Sequence, residues 1–308
     1  MNELYRKYRP KKFKQMFGQE AAIKVLEGHV RKRTVPHFML FTGNSGCGKT
    51  TAARILCTLL EADLNLDVFE ENAAIDGGID FVRKIRSRVG AAPYGKYRIW
   101  IIDECHQLTK AAQESFLKLL EDTPDWVYFI FCTTDPGKLI ATIKSRSTQI
   151  QFKPVSSSDM SDLLDSIASR VKISISDEVK EKIFEVSGGA PRKALVLLNS
   201  IKHIKKEKDQ LNAIQSQDAE KQAIDLCRLL MSNSPSWKEI ASILKNITEE
   251  PETVRRIVLG YANTVALNSG MPKAFTIIDC FSQNYYDVGK AGLTWSCRQF
   301  LTSMGIKR

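Results

Sequence analysis

The chain has 308 residues, enough for about two folded units, and its 43% hydrophobic and 26% charged content is ordinary for a globular protein and excludes a disordered or fibrous one. The longest apolar run, Trp126 to Cys132, is strand-sized and well short of the ~20 residues a membrane helix needs; the basic start MNELYRKYRP lacks the apolar stretch of a secretory signal; and seven cysteines without a CxxC pair read as reduced thiols, with no zinc ribbon. The net charge is +10, and residues 1–50 carry eleven Lys or Arg against three Glu, an excess that suits a polyanion partner or, equally, a solubilising surface.

Taken in chain order, the first half alternates strand-like and helix-like segments, which predicts an α/β fold on a parallel sheet. FMLFT, Phe38 to Thr42, is a short apolar strand that runs into GNSGCGKT, Gly43 to Thr50, and then into a helical stripe of Ala52, Ile55, Leu56, Leu59 and Leu60. The eight residues match GxxxxGK[ST] in the strand–loop–helix setting that a phosphate loop requires. Glycines let such a loop curl so that backbone N–H groups face a phosphate, and the following helix adds the positive end of its dipole. The loop residues Gly43, Asn44, Ser45, Gly46, Cys47, Gly48, Lys49, Thr50 and Thr51 are therefore nucleotide-binding candidates. Lys49 is expected to reach the β- and γ-phosphates, and the Thr50 hydroxyl to hold Mg²⁺.

AIDGGIDFVRKIRSRV places Gly77 and Gly78 ahead of a basic helix. RIWIID, Arg98 to Asp103, is the next strand, fully apolar as central parallel strands are. It ends in Asp103 and Glu104, where Mg²⁺ would need a second anchor and where a general base could polarise the attacking water. A helix with Ala112, Phe116, Leu119 and Leu120 on one face follows, then the strand WVYFIFC over Trp126 to Cys132, then QIQF over Gln149 to Phe152, whose alternation suits a sheet edge. After Pro154 no strand is expected. KPVSSSD offers helix caps at its serines and marks a boundary; two or three short helices run to about Lys202, one starting near Ser176 and one near Arg192 after the SGGAP break. The polar stretch over residues 205–222 reads as a second hinge, and everything beyond it as α-helix. His29, His37, His106 and His203 have no ligand spacing and read as structural, and Tyr285, Tyr286 and Trp295 read as packing residues.

With these residues in place, the chain resembles the clamp-loader ATPase subunits of the AAA+ family, the bacterial gamma/tau subunit of DNA polymerase III and the small subunits of replication factor C. The resemblance runs over residues 4 to about 205 and rests on YRKYRPKKFKQMFGQE, the phosphate loop, IIDECHQLTKAAQESFLKLLED, FCTTDPGKL, IKSRSTQIQF and GGAPRKAL in the family's order. It implies an AAA+ P-loop domain over residues 1–155, a small helical lid over 156–208 and an all-α collar for oligomerisation over 209–308. It implies that Tyr8, Arg9, Pro10, Phe17 and Gly18 edge an adenine pocket. Thr134 falls at the family's first sensor of the γ-phosphate, Arg192 at the second, and Arg146 at the arginine finger that acts in a neighbouring subunit. Arg83, with Lys84 and Arg86, falls where the family tracks DNA phosphates, although a solvated basic helix face would look the same. The helix over Lys110 to Glu121 falls where the family docks on its clamp, and its stripe would serve equally as core.

The activity so implied is ATP-dependent loading of a ring-shaped sliding clamp onto primer–template DNA during replication. ATP and Mg²⁺ are the expected cofactors. The expected partners are the clamp, DNA without sequence preference, further copies of the chain and a second loader subunit in a pentameric assembly, with no membrane. The expected location is the cytoplasm, or a host's cytoplasm for a viral protein. Two departures stand out. Ser147 replaces the cysteine of the family's SRC motif, and no four-cysteine zinc module follows the phosphate-loop helix, so no zinc is expected and the chain leans toward the compact replication factor C or viral type. Two rival readings remain at this point. One is another AAA+ DNA motor, a junction-migrating helicase or a DECH-type helicase suggested by Asp103 to His106, and the other is a non-catalytic subunit that binds nucleotide only for assembly.

Overall fold

A computed structural model describes residues 3–232, 234–247 and 250–305, apart from the side chains of 216–221. It divides into two compact units, Met1–His203 and Ile204–Arg308.

The first unit is built on five parallel strands, β1 (Phe38–Thr42), β2 (Val68–Asn72), β3 (Arg98–Asp103), β4 (Val127–Thr133) and β5 (Thr148–Gln151), in the order β2-β3-β4-β1-β5. The three apolar runs read from the sequence become the three inner strands, and QIQF supplies the edge strand β5. The fifth strand, β2, was not expected. VFEEN alternates poorly because β2 lies at the other edge of the sheet, where Glu70 and Glu71 meet solvent.

Strand residues alternate between two cores, as the two-residue period demands. Met39, Phe41, Ile99 and Ile101 face one side, packed by α2 (Glu20–Lys32) and α3 (Lys49–Leu59). Phe38, Leu40, Trp100 and Ile102 face the other, packed by α4 (Ile79–Val89) and α5 (Lys110–Glu121). Phe116 of α5 is fully buried and meets Phe129 and Phe131 edge-on at 6.0 and 5.0 Å. The stripe of α5 that includes Ala112, Phe116 and Leu119 is thus core.

A short α1 (Leu4–Lys7) precedes the sheet, and α6 (Ala141–Arg146) leads into β5. The helices after Pro154 are α7 (Ser157–Val171), α8 (Asp177–Ser187) and α9 (Pro191–Ile201). Ser156 and Ser176 cap α7 and α8 by accepting the N–H groups of Asp159 and Val179, as the polar serine stretches suggest. These three helices belong to the first compact unit.

The second unit holds α10 (Glu207–Met231), α11 (Trp237–Asn246), α12 (Pro251–Ser269), α13 (Pro272–Cys280) and α14 (Gly289–Ser303) around a core that includes Leu226, Val258, Phe281 and Phe300. The expected hinge over 205–222 is instead the first part of the 25-residue α10. Its Glu, Lys, Gln and Ala residues are strong helix formers, and a polar segment rich in them continues a helix rather than breaking it. The aromatics divide: Tyr285 is buried as expected, but Tyr286 and Trp295 are 63% and 68% exposed. No helix among the described residues is long and apolar enough to cross a membrane.

Candidate active site

Parallel sheets bind ligands beyond the carboxyl ends of their strands, where the strand order reverses. In this sheet β1 lies between β4 and β5, and the chain leaves β1 to return at the far edge, so the switch point falls at the end of β1. Thr42 of β1 pairs with Thr133 of β4, and β3 ends alongside them in Asp103.

The loop after β1 needs its glycines. Gly43 has φ +140°, and a side chain there would collide with the Phe152 carbonyl. Gly46 has φ +78°, and a Cβ would fall 3.0 Å from the Cβ of Arg192 at the start of α9. The missing side chain at Gly46 therefore lets the second-sensor candidate lie against the loop, where the Arg192 N–H donates to the Gly46 carbonyl at 3.4 Å.

Lys49 is 6% exposed, and its ammonium donates to the carbonyls of Gly43 (2.7 Å) and Asn44 (3.0 Å). The Thr50 hydroxyl donates to Asp103 Oδ2 at 2.9 Å across 53 residues of sequence. A hydroxyl and a carboxylate so close, beside exposed N–H groups of a helix start, form an oxygen set that suits a hard divalent cation. Asp103 Oδ1 accepts the N–H of Glu104 at 3.0 Å, and Glu104 itself occupies the left-handed region at φ 50°, a conformation uncommon for a residue with a side chain. The Thr134 hydroxyl donates to Glu104 Oε2 at 3.3 Å.

These residues open into a cleft of about 380 Å³, within the range of small-ligand sites. One end is the loop from Ser45 to Thr51 with Asp103 and Glu104; the other is Tyr8, Pro10 and Phe17 with Leu163, Ile167 and Leu195. Gln19 ties the amino-terminal segment down, donating to the Lys153 carbonyl at 2.7 Å while accepting the Lys153 N–H at 3.2 Å. Gly18 packs on Val155 at the edge of this segment. Cations crowd the cleft. Burial first, and then the neighbouring Arg54 and Arg192, lower the pKa of Arg9, so an anion bound here would relieve repulsion already present. Burial also pushes the Cys47 thiol up, which leaves it inert within the glycine loop.

Three lining or neighbouring residues escaped the sequence. The guanidinium of Arg192 lies 6.0 Å from the Tyr5 ring and that of Arg170 lies 6.0 Å from the Tyr8 ring, pairings made only through space. His106, read as structural, faces Glu104 at 3.3 Å. Its position three residues past Asp103, in the turn that ends β3, was the available signal.

The remaining candidates lie apart from the cleft. Arg146 ends α6 and pairs with Glu121 of α5. On α4, Arg83 pairs with Asp80 at 2.7 Å, Lys84 with Asp76 at 3.0 Å, and Arg86 is exposed. The segment that leads into α4 touches the turn after β3 directly. A Cβ on Gly77 would fall 2.6 Å from the Gln107 carbonyl oxygen, and Thr109 donates its N–H to the Gly77 carbonyl at 2.9 Å.

The sheet order, the glycine loop and the acidic end of β3 define an AAA+ P-loop nucleotide-binding module. Within that class the chain is similar to DNA polymerase III gamma/tau subunits and to replication factor C small subunits. Residues 61–156 match the family described as DNA polymerase III, delta subunit. The chain is 35% identical over 221 residues to the DNA polymerase III gamma/tau subunit of Mycobacterium tuberculosis, covering 64% of this chain and 38% of that protein. To the replication factor C small subunit of Thermoplasma volcanium it is 34% identical over 199 residues, covering 63% and 62%. The chain thus spans well under half the length of the gamma/tau relatives it matches. Among solved structures, the Holliday junction branch migration motor RuvB of Thermotoga maritima shares the fold, with a TM-score of 0.53 at 19% identity over 97% of this chain and 91% of that one.

Proposed function

We propose that this chain is the ATP-hydrolysing subunit of an oligomeric clamp loader, which places a ring-shaped sliding clamp on primer–template DNA during replication. The observation that carries the reading is the meeting of Lys49, Thr50, Asp103 and Glu104 at the ends of β1 and β3, in a chain related to clamp-loader subunits. A scaffold that only bound nucleotide would not need Glu104 held beside the site.

In this reading the adenine lies between the Tyr8–Pro10 and Phe17 segment and the α7 face, and the triphosphate runs along the loop. Lys49 exchanges its carbonyl partners for β- and γ-phosphate oxygens. Thr50 and Asp103 would hold Mg²⁺, which would neutralise phosphate charge when bound. Glu104 takes a proton from the water whose oxygen attacks the γ-phosphorus, and ADP leaves as the bond to the β-phosphate oxygen breaks. Thr134 and Arg192 sense the γ-phosphate, and Arg192 on α9 couples it to the lid formed by residues 156–208.

Arg146 acts on the site of a neighbouring copy, so the active form is an assembly, with residues 209–308 as its collar. A pentamer that includes a second kind of subunit fits this arrangement. Arg83, Lys84 and Arg86 contact DNA phosphates without reading sequence. The place of action is the cytoplasm, where the clamp and the DNA are.

The test is steady-state ATP hydrolysis by the full chain, alone and with primer–template DNA plus a candidate clamp. Joint stimulation by DNA and clamp is expected, with Arg146→Ala lowering the stimulated rate by about 10³-fold, the low end for an arginine finger. Stimulation by DNA alone with strand displacement would replace this reading with a helicase. An Arg146→Ala protein as fast as wild type would remove the action in trans.

A further inference from the structure

Glu104 is held from several directions at once. Its backbone is pinned in the left-handed conformation by Asp103 Oδ1, which accepts its N–H at 3.0 Å, and by the Gln107 N–H, which donates to its carbonyl at 2.9 Å. Its side chain Oε2 accepts the Thr134 hydroxyl at 3.3 Å and faces His106 Nδ1, also at 3.3 Å. The imidazole belongs to a closed local set. Its side chain is 9% exposed, its Nδ1 also lies 3.2 Å from the hydroxyl of buried Thr133, and its Nε2 lies 3.1 Å from the Gln107 side-chain nitrogen. With the Gln107 NH₂ assigned toward Nε2, that nitrogen accepts, and a proton on Nδ1 lies between two oxygens, the Thr133 hydroxyl at 3.2 Å and the Glu104 carboxylate at 3.3 Å.

We propose that His106 is a positioning residue for Glu104. Its Nδ1–H fixes the carboxylate in the orientation from which it takes the proton of the attacking water, while Gln107 and Thr133 fix the imidazole. The proposal rests on the reading of Glu104 as the general base. A carboxylate on a strained turn with only the Thr134 hydroxyl to hold it could rotate among its rotamers; two donors from two different elements leave it one orientation. Proton abstraction depends steeply on that orientation, whereas nucleotide affinity, set by the loop and the cation-rich cleft, does not.

The experiment compares wild type, His106→Ala and His106→Asn as full chains with primer–template DNA and clamp, measuring kcat and, separately, the affinity for ATP. His106→Ala is expected to lower kcat about 10- to 100-fold, the scale of a misplaced catalytic group, with ATP affinity unchanged. His106→Asn, whose side-chain N–H can replace Nδ1–H, is expected to recover most of that loss. An alanine variant with wild-type kcat overturns the proposal, as does an asparagine variant no faster than alanine. Parallel loss of affinity and kcat in both variants reassigns His106 to structural support. If wild type turns over under no condition, the hydrolytic reading fails and takes this inference with it; a turnover-competent wild type with an unaffected alanine variant sinks the inference alone.

Discussion

Asp67 and Arg98 in the first unit, and Glu252 and Arg255 in the second, are both buried pairs of opposite charge, but they are satisfied differently. Asp67 and Arg98 are separated by 31 residues and meet at 3.4 Å, with most of their hydrogen bonds going to the backbone: Arg98 donates to the carbonyls of Arg88 in the last turn of α4 and of Ala92 beyond it, and Asp67 accepts the N–H of Gly95. The pair closes the segment that returns the chain from α4 to β3. Glu252 and Arg255 sit one helical turn apart on α12 in a two-pronged contact of 2.6 and 2.8 Å, and Glu252 also accepts the N–H of Tyr285 at 3.0 Å. In the α/β unit, buried charge organises the backbone at the amino-terminal ends of β2 and β3, the end of the sheet opposite Asp103 and the glycine loop. In the helical unit it joins a helix start to a connection inside a bundle.

The comparison can be broken most directly at Asp67. Asp67→Ala leaves Arg98 buried without its partner and is expected to destabilise the first unit by about 3–5 kcal/mol, measured by urea unfolding. A cost near zero would mean that the carbonyls of Arg88 and Ala92 hold Arg98 without Asp67 and that the pair does no organising.

The second unit gives a pH signature. Arg255 first, then the Tyr285 N–H and Arg256, hold the Glu252 carboxyl down from 4.5 to about 2. Because the folded value is depressed, the stability it contributes is present above the ordinary carboxylate range and is lost as pH falls from about 4.5 toward 2. Calorimetry should show the transition of this unit falling across that window. Glu252→Gln should lower the Tm at neutral pH and flatten its dependence on pH, and an unchanged profile would show that another group governs the acid limb.

The smallest effect on folding is expected at the surface. Arg83 pairs with Asp80 across side chains that are 68% and 75% exposed, so Arg83→Ala should change stability by no more than about 0.5 kcal/mol. Its effect belongs to DNA binding, where the slope of log affinity against log salt should shrink by about 0.9 if one phosphate contact is lost to duplex. An unchanged slope would make that face of α4 a solvated surface.

The same contrast explains what the sequence revealed. Lys49, Thr50 and Asp103 were legible because the chemistry demands those residue types at the end of a strand, and because the glycines at 43 and 46 have no substitute at their backbone angles. The inner strands were legible because both of their faces are buried. Edge strand β2 was not, since half-exposed VFEEN carries no apolar run. The helix across 205–222 was hidden by its polarity, which signals solvent on most of its faces and says nothing against a helix. His106 and Tyr5 were missed for another reason. Their partners, Thr133 and Glu104 for one and Arg192 for the other, are set by the folded geometry, and no local pattern records it. The second unit has a continuous apolar core and no motif, because a helical bundle can be filled by many combinations of apolar residues.

Gly77 gives the first unit one more property. Most neighbouring elements in a protein touch through side chains, which give way by changing rotamer and so soften any push between them. Between the start of α4 and the turn that carries Glu104, His106 and Gln107, no side chain intervenes: main chain rests on main chain, and Thr109 fastens the two with a hydrogen bond. Such a joint has almost no slack. Any residue larger than glycine at position 77 would have to wedge the two segments apart.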